Sequence, residues 1–162
     1  MTYEYKGPKN YYVGKRSTIV IVSGYFNPWH EGHSEYCEIA RELGDVLWVV
    51  VNNDAQQMIK KHKIIRDEQS RMDAVREKGY ADEVILSIDE DLSQCRTLEM
   101  IFKMNPGNDF IFANGGDRYN GEIPEAKFCR ENSITIKMVD GCGAKINSST
   151  KLNIELGLEE PK

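Results

Sequence analysis

No apolar run in this chain approaches the roughly 20 residues that a membrane-spanning helix needs. The opening stretch Met1-Thr2-Tyr3-Glu4-Tyr5-Lys6 has no apolar core of the kind a secretory leader carries, so a cytoplasmic protein without membrane partners is expected. Cysteine is sparse, at positions 37, 95, 129 and 142, with no CxxC spacing. That pattern argues against a zinc site or a disulfide framework, and no side-chain metal site is expected. Cys37 and Cys95 read instead as small core residues. A basic excess is also missing: 21 Lys and Arg stand against 26 Asp and Glu, for a net charge of −5. A dedicated nucleic-acid binder would show the opposite sign. Local cation clusters can still hold a small anion. There are no repeats, low-complexity tracts or internal linkers, and 162 residues suffice for one domain with a proper core.

What is present is concentrated between residues 18 and 43. The β-branched run Thr18-Ile19-Val20-Ile21-Val22 reads as a buried strand. Ser23-Gly24-Tyr25-Phe26-Asn27-Pro28-Trp29-His30-Glu31-Gly32-His33 follows, and Tyr36, Ile39, Ala40 and Leu43 then recur at helical spacing, with Gly44 as the expected C-cap. A glycine-bearing turn from strand into helix gathers unpaired backbone N–H groups at the positive end of a helix dipole, which suits phosphate. His30 and His33 lie three apart, on one face of the first helical turn.

This order of strand, glycine, aromatic, Asn-Pro and His-x-Gly-His resembles the GxFDxxHxGH signature of the cytidylyltransferase-like nucleotidyltransferases. Asn27 stands where most relatives have Asp. The resemblance extends over roughly residues 18–156. It implies an α/β, Rossmann-like three-layer sandwich on a five-stranded parallel sheet.

The rest of the chain can be taken in order. Residues 1–17 are polar, with Gly7-Pro8 and no period, and read as an N-terminal arm, either loose or packed on a neighbouring subunit; residues 18–162 form the single domain. Val46 to Val51 is a second continuous apolar strand, reached through a helix, as in a βαβ unit. Ligands of such sheets sit at the carboxyl ends of the strands, where strand order reverses. Lys60, Lys61, His62, Lys63 and Arg66 form a cationic block after that strand, expected as a helix end and loop able to clamp a triphosphate. A helix is expected over Asp67–Lys78, with Asp67 as its N-cap. Tyr80-Ala81-Asp82-Glu83-Val84-Ile85 is similar to the family's RYVDEV, which enters the third strand. Gly79 replaces an arginine common in relatives, so Lys61 or Lys63 would have to substitute for it. Asp89-Glu90-Asp91 precedes a helix with the stripe Cys95, Leu98, Ile101 and Phe102, and is read as capping, through Asp91 or Ser93, rather than as a metal site. Asp109 to Ala113 is the fourth strand, Ile123 to Asn132 a helix, and Ile134 to Val139 the fifth strand. A last helix with Leu152 and Leu156 starts from Asn147-Ser148-Ser149-Thr150.

The resemblance also implies roles. His30, His33 and Lys60 would carry catalysis by holding the triphosphate as charge builds on the leaving pyrophosphate. Gly24, Tyr25, Phe26, Asn27 and Arg71 would bind nucleotide. So would Gly115, Gly116 and Asp117, in a GGD element, and Asn147, Ser148, Ser149 and Thr150, in the family's second signature. Asn27, Lys63 and Arg118 would face the acceptor, and Lys145 lies near the place of an arginine in some members. Mg2+ would be bound mainly through the triphosphate oxygens. The expected reaction joins an NTP, with CTP favoured over ATP, to a small phosphorylated acceptor such as an alcohol or sugar phosphate. Relatives are usually dimers, and a homodimer is expected.

Overall fold

The architecture was read from a computed structural model, which describes residues 3–115, 124–139 and 149–159. Five strands form one parallel sheet: β1 (Thr18–Gly24), β2 (Val46–Val51), β3 (Glu83–Leu86), β4 (Asp109–Gly115) and β5 (Thr135–Val139). Their spatial order is β3-β2-β1-β4-β5. The helices are α1 (Glu31–Arg41), α2 (Asp54–Lys61), α3 (Glu68–Lys78), α4 (Cys95–Met104), α5 (Pro124–Glu131) and α6 (Ser149–Glu155). Among the described residues no helix is long and apolar enough to cross a membrane.

Alternation along the strands builds the three layers. Ile19, Ile21, Trp48, Val50, Phe110 and Phe112 point to one face, where Leu98 and Ile101 of α4 and Cys129 of α5 cover them. Val20, Val22, Leu47, Val49 and Val51 point to the other, against Tyr36, Cys37 and Ala40 of α1 and Met72 and Val75 of α3. Both faces are buried, which is why the strands read as continuous apolar runs rather than as alternating ones. The α/β sandwich implied by the sequence is therefore the observed one.

Several local expectations are corrected. The arm does not hang free: Tyr5 is buried in the core, Tyr11 packs edge-on against Trp48, and Arg16 pairs with Asp109. Gly44 is not the C-cap of α1, which is Glu42. Its lack of a side chain instead admits β1, since a Cβ there would lie 2.8 Å from the Thr18 carbonyl. Ile39 and Phe102, expected on inward stripes, are exposed because each stripe is narrower than its apolar sequence suggests. Of the two expected caps only Ser93 reaches the start of α4, its hydroxyl accepting from the Cys95 N–H at 3.4 Å, and the main hold comes from elsewhere. Asp89 accepts from the backbone N–H groups of Arg96 and Thr97 and from the Thr97 hydroxyl. Asp91 turns back to accept from Ser93.

The sheet opens where its order reverses. β1 and β4 pair from Thr18 with Asp109 to Ile21 with Phe112, and then part. Beyond that point Val22 to Gly24 pair only with β2, and Ala113 to Gly115 only with β5. The Tyr36 hydroxyl of α1 donates to the Ala113 carbonyl, which β1 no longer approaches. A crevice at the carboxyl ends, beside the α1 N-terminus, is the place this class of sheet binds ligands.

Candidate active site

His30 is the N-cap of α1, with extended backbone. Its Nδ1 accepts from the Gly32 N–H at 3.0 Å, while the His33 Nδ1 accepts from the His30 N–H at 3.1 Å. Each ring thus satisfies an orphan donor at the helix start, a capping box made with imidazoles. The reciprocity fixes the tautomers. With both Nδ1 atoms accepting, the proton of each neutral ring lies on Nε2, leaving one N–H donor per ring turned away from the helix. The rings stack, with centroids 3.9 Å apart. Burial pushes the His33 imidazole down to about 3, and the adjacent His30 adds to the fall. Burial lowers His30 as well. Two neutral donors, rather than two cations, therefore stand at the helix start near pH 7.

The loop ahead of them is shaped by packing. Phe26 takes a left-handed φ of 52° and puts its ring edge-to-face against His33. Gly24 is needed for this turn, because a Cβ there would stand 3.0 Å from the tip of the Phe26 ring. Trp29 stacks on both Phe26 and Tyr80 and donates from Nε1 to the Ser34 hydroxyl. The histidines are thus seated on an aromatic floor.

A buried polar network holds the same loop from the side. Arg71, expected on a phosphate, is fully buried and already committed. It donates to the carbonyls of Tyr25, Asn52 and Arg66 and to the Asp54 carboxylate. Four of its five N–H donors are used on the protein, tying the histidine loop to the ends of β2 and α2. Asn27, expected at both nucleotide and acceptor, is likewise buried, with its Nδ2 on the Gln57 carboxamide at 2.8 Å. Gln57 also accepts from the Ile65 N–H and donates to Asp54 and the Arg66 carbonyl. Asp54, Gln57 and Asn153 were not anticipated as site residues. The one legible signal was the Asn53-x-x-Gln56 spacing of a capping box, which does start α2.

The cationic block is mostly helix. Lys60 and Lys61 lie in the last turn of α2, and His62 caps it in the left-handed region. Lys60 is exposed and holds its ammonium 4.5 Å over the Tyr25 ring, which ties it to the histidine loop. Lys61 pairs with Glu159 at 2.6 Å, and Lys63 is exposed beyond the helix. Gly115 ends β4 at the crevice. Ser149 and Thr150 begin α6. Gly116, Asp117, Arg118, Lys145, Asn147 and Ser148 lie outside the described residues. The structure thus brings His30, His33, Gly24, Tyr25, Phe26 and Lys60 into one neighbourhood and assigns Arg71 and Asn27 to its support.

A helix start carrying two neutral N–H donors, flanked by a lysine, at the switch point of a parallel sheet can hold and polarise phosphate groups. Comparison with known proteins agrees. The family model described as cytidylyltransferase-like matches residues 21–140. Over 108 residues the chain is 34% identical to a FAD synthase of Pyrococcus abyssi, covering 65% of this chain and 67% of that protein. It is 34% identical over 116 residues to an ethanolamine-phosphate cytidylyltransferase of Dictyostelium discoideum, covering 70% of this chain but 32% of that one. It thus spans about a third of that relative's length. Among solved structures, a lipopolysaccharide core biosynthesis protein of Thermoplasma volcanium superposes with a TM-score of 0.56 at 28% identity, over 76% of this chain and 95% of that one. With its sheet, its histidine-bearing helix start and these matches taken together, the chain belongs to the cytidylyltransferase-like family of nucleotidyltransferases.

Proposed function

We propose that the protein transfers a nucleotidyl group from an NTP to a small phosphorylated acceptor and releases pyrophosphate. The observation that carries this reading is the reciprocal capping of His30 and His33, which leaves two Nε2–H donors side by side at a helix N-terminus. An acceptor phosphate is already ionised at neutral pH and attacks the α-phosphorus in line; no protein base is needed. The O–P bond to pyrophosphate breaks as the new P–O bond forms. Catalysis then consists of alignment and stabilisation of charge on the phosphoryl oxygens. The two Nε2–H groups, set at the positive end of the α1 dipole, are fixed donors for that charge, and Lys60 adds a full positive charge. Mg2+ suits this site as a companion of the triphosphate. Its coordination would come mainly from the nucleotide oxygens, as is usual for Mg2+ with triphosphates. When bound it would neutralise the β- and γ-phosphates.

We favour CTP and an alcohol phosphate, because the Tyr80 to Ile85 segment and the ethanolamine-phosphate cytidylyltransferase match both point that way. The FAD synthase match supports a second reading, with ATP as donor, since that product contains adenine. A nucleotide-binding module without turnover is the third. The test is pyrophosphate release with CTP or ATP, Mg2+ and a panel of alcohol, sugar and flavin phosphates. Release with CTP and an alcohol phosphate supports the first reading, and release with ATP alone the second. Nucleotide binding with no release under any pairing leaves the silent module.

A further inference from the structure

Asn153 lies on α6, three residues beyond Thr150, and is fully buried although it is polar. Its carboxamide makes three hydrogen bonds to three separate parts of the chain. Nδ2 donates to the Asn27 carbonyl of the histidine loop at 2.7 Å. The same Nδ2 donates to the Glu159 carboxylate at 2.8 Å. Oδ1 accepts from the Arg66 guanidinium at 2.7 Å. The Asn153 backbone carbonyl adds bonds from the Leu158 and Glu159 N–H groups, a turn permitted by Gly157 at a φ of 76°. That turn returns Glu159 to Lys61, the neighbour of Lys60.

We infer that Asn153 is a positioning residue, whose amide locks the histidine loop, the cationic segment and the last helix into one geometry for phosphate. This rests on the function proposed above. The physical case is the number and direction of the contacts. A buried amide with its polar groups satisfied rigidifies the groups it joins, and an error of about 1 Å can cost a hundredfold in rate. Asn27 lies three residues before His30, so its carbonyl sets the entry angle of the loop into α1. Arg66 ends the cationic segment, and its own carbonyl is gripped by Gln57 and Arg71. Lys61 and Arg66 are thus both held from the C-terminal side, with the exposed residues Lys63 and Ile64 between them. Each wall alone could drift relative to the others. Through Asn153 they move together.

The experiment compares the wild type with Asn153→Leu and Asn153→Asp. Leu keeps the volume and removes every side-chain polar contact, whereas Asp keeps the acceptor for Arg66 and loses the donors to Asn27 and Glu159. Unliganded melting temperature, the further rise produced by inorganic triphosphate with Mg2+, and kcat and KM for the NTP are measured for each. Positioning predicts that both variants lose at least half of the triphosphate-induced rise and at least tenfold in kcat/KM, with kcat falling as well as KM rising. A merely structural role would lower the unliganded melting temperature and leave the triphosphate-induced rise and kcat unchanged; that result overturns the inference. If Asn153→Leu does not fold, Asn153→Asp decides by the same criteria. Should neither fold, Arg66→Gln, which breaks the third contact from outside the core, takes their place. A wild type that responds to triphosphate but never releases pyrophosphate sinks the proposed reaction and leaves the triphosphate comparison to judge Asn153. A wild type indifferent to triphosphate overturns both.

Discussion

The ammonium of Lys60 stands 4.5 Å above the centre of the Tyr25 ring, so the cation at the end of α2 is steered by the loop that bears the histidines. A contact of this kind at an exposed site contributes about 0.5–1 kcal/mol. Tyr25→Leu should therefore raise KM for the NTP about two- to fivefold, because Lys60 loses its guide, not its charge. Tyr25→Phe should leave KM near the wild-type value, since the aromatic face survives. Equal losses in the two variants would show that the hydroxyl, not the ring, is what matters.

The histidines serve structure and chemistry at once, and the two duties can be separated. His30 caps α1 through Nδ1, and loss of an N-cap costs about 1 kcal/mol. Asn is an equally good cap but has no counterpart of the outward Nε2–H. His30→Asn should therefore melt close to the wild type and yet lose about a hundredfold or more in kcat, the loss typical of one oriented donor. His33→Ala should lose at least a hundredfold in kcat with the fold intact by circular dichroism. An unchanged turnover number in either variant would remove that histidine from the chemistry.

The fold was legible because its evidence is local. Val46 to Val51 is apolar at every position, short and mostly β-branched, as suits a strand buried on both faces. The His-x-Gly-His turn was legible for the same reason, being set within eleven residues of chain. The support of that turn was not. Arg71 was expected on phosphate because the family resemblance puts a ligand arginine there, and a sequence match does not say whether the guanidinium faces substrate or carbonyl oxygens. Its three carbonyl partners are brought together only by tertiary structure. Asn153 meets Asn27 across 126 residues, a pairing that no spacing rule anticipates. Asp89 and Asp91 differ by two positions in one acidic cluster, and which of them caps α4 depends on how β3 delivers the chain.

The buried position of Arg71 leads to a distinction by melting temperature. Its Nη2 is 3.0 Å from Asp54, and removing one partner of a buried ion pair commonly costs 3–5 kcal/mol. Asp54 is partly exposed, which argues for the lower end, about 3 kcal/mol. In a domain of this size that corresponds to a fall of roughly 6–12 °C in Tm for Arg71→Met. Arg71→Lys should fall almost as far, because one ammonium cannot serve four acceptors in four directions. Were Arg71 instead a direct phosphate ligand, Lys would preserve Tm and the change would appear in KM.

The same burial that keeps the His33 imidazole neutral makes stability depend on pH in a definite direction. Folded His33 binds its proton only near pH 3, while in the unfolded chain it does so near 6.5. Between those values the unfolded state holds more protons than the folded one, so stability rises with pH through that window and the contribution is flat above it. Denaturant melts of the wild type should lose stability on acidification from pH 6.5, with this group contributing a slope of at most about 1.4 kcal/mol per pH unit. His30, lowered by burial in the same sense, adds to the wild-type slope and remains in the variant that tests the assignment. His33→Gln cannot titrate, and its slope from pH 6.5 to 5 should be shallower than that of the wild type. Parallel curves would mean that His33 takes up its proton without penalty in the folded protein, and the two-neutral-donor description of the site would fall with it.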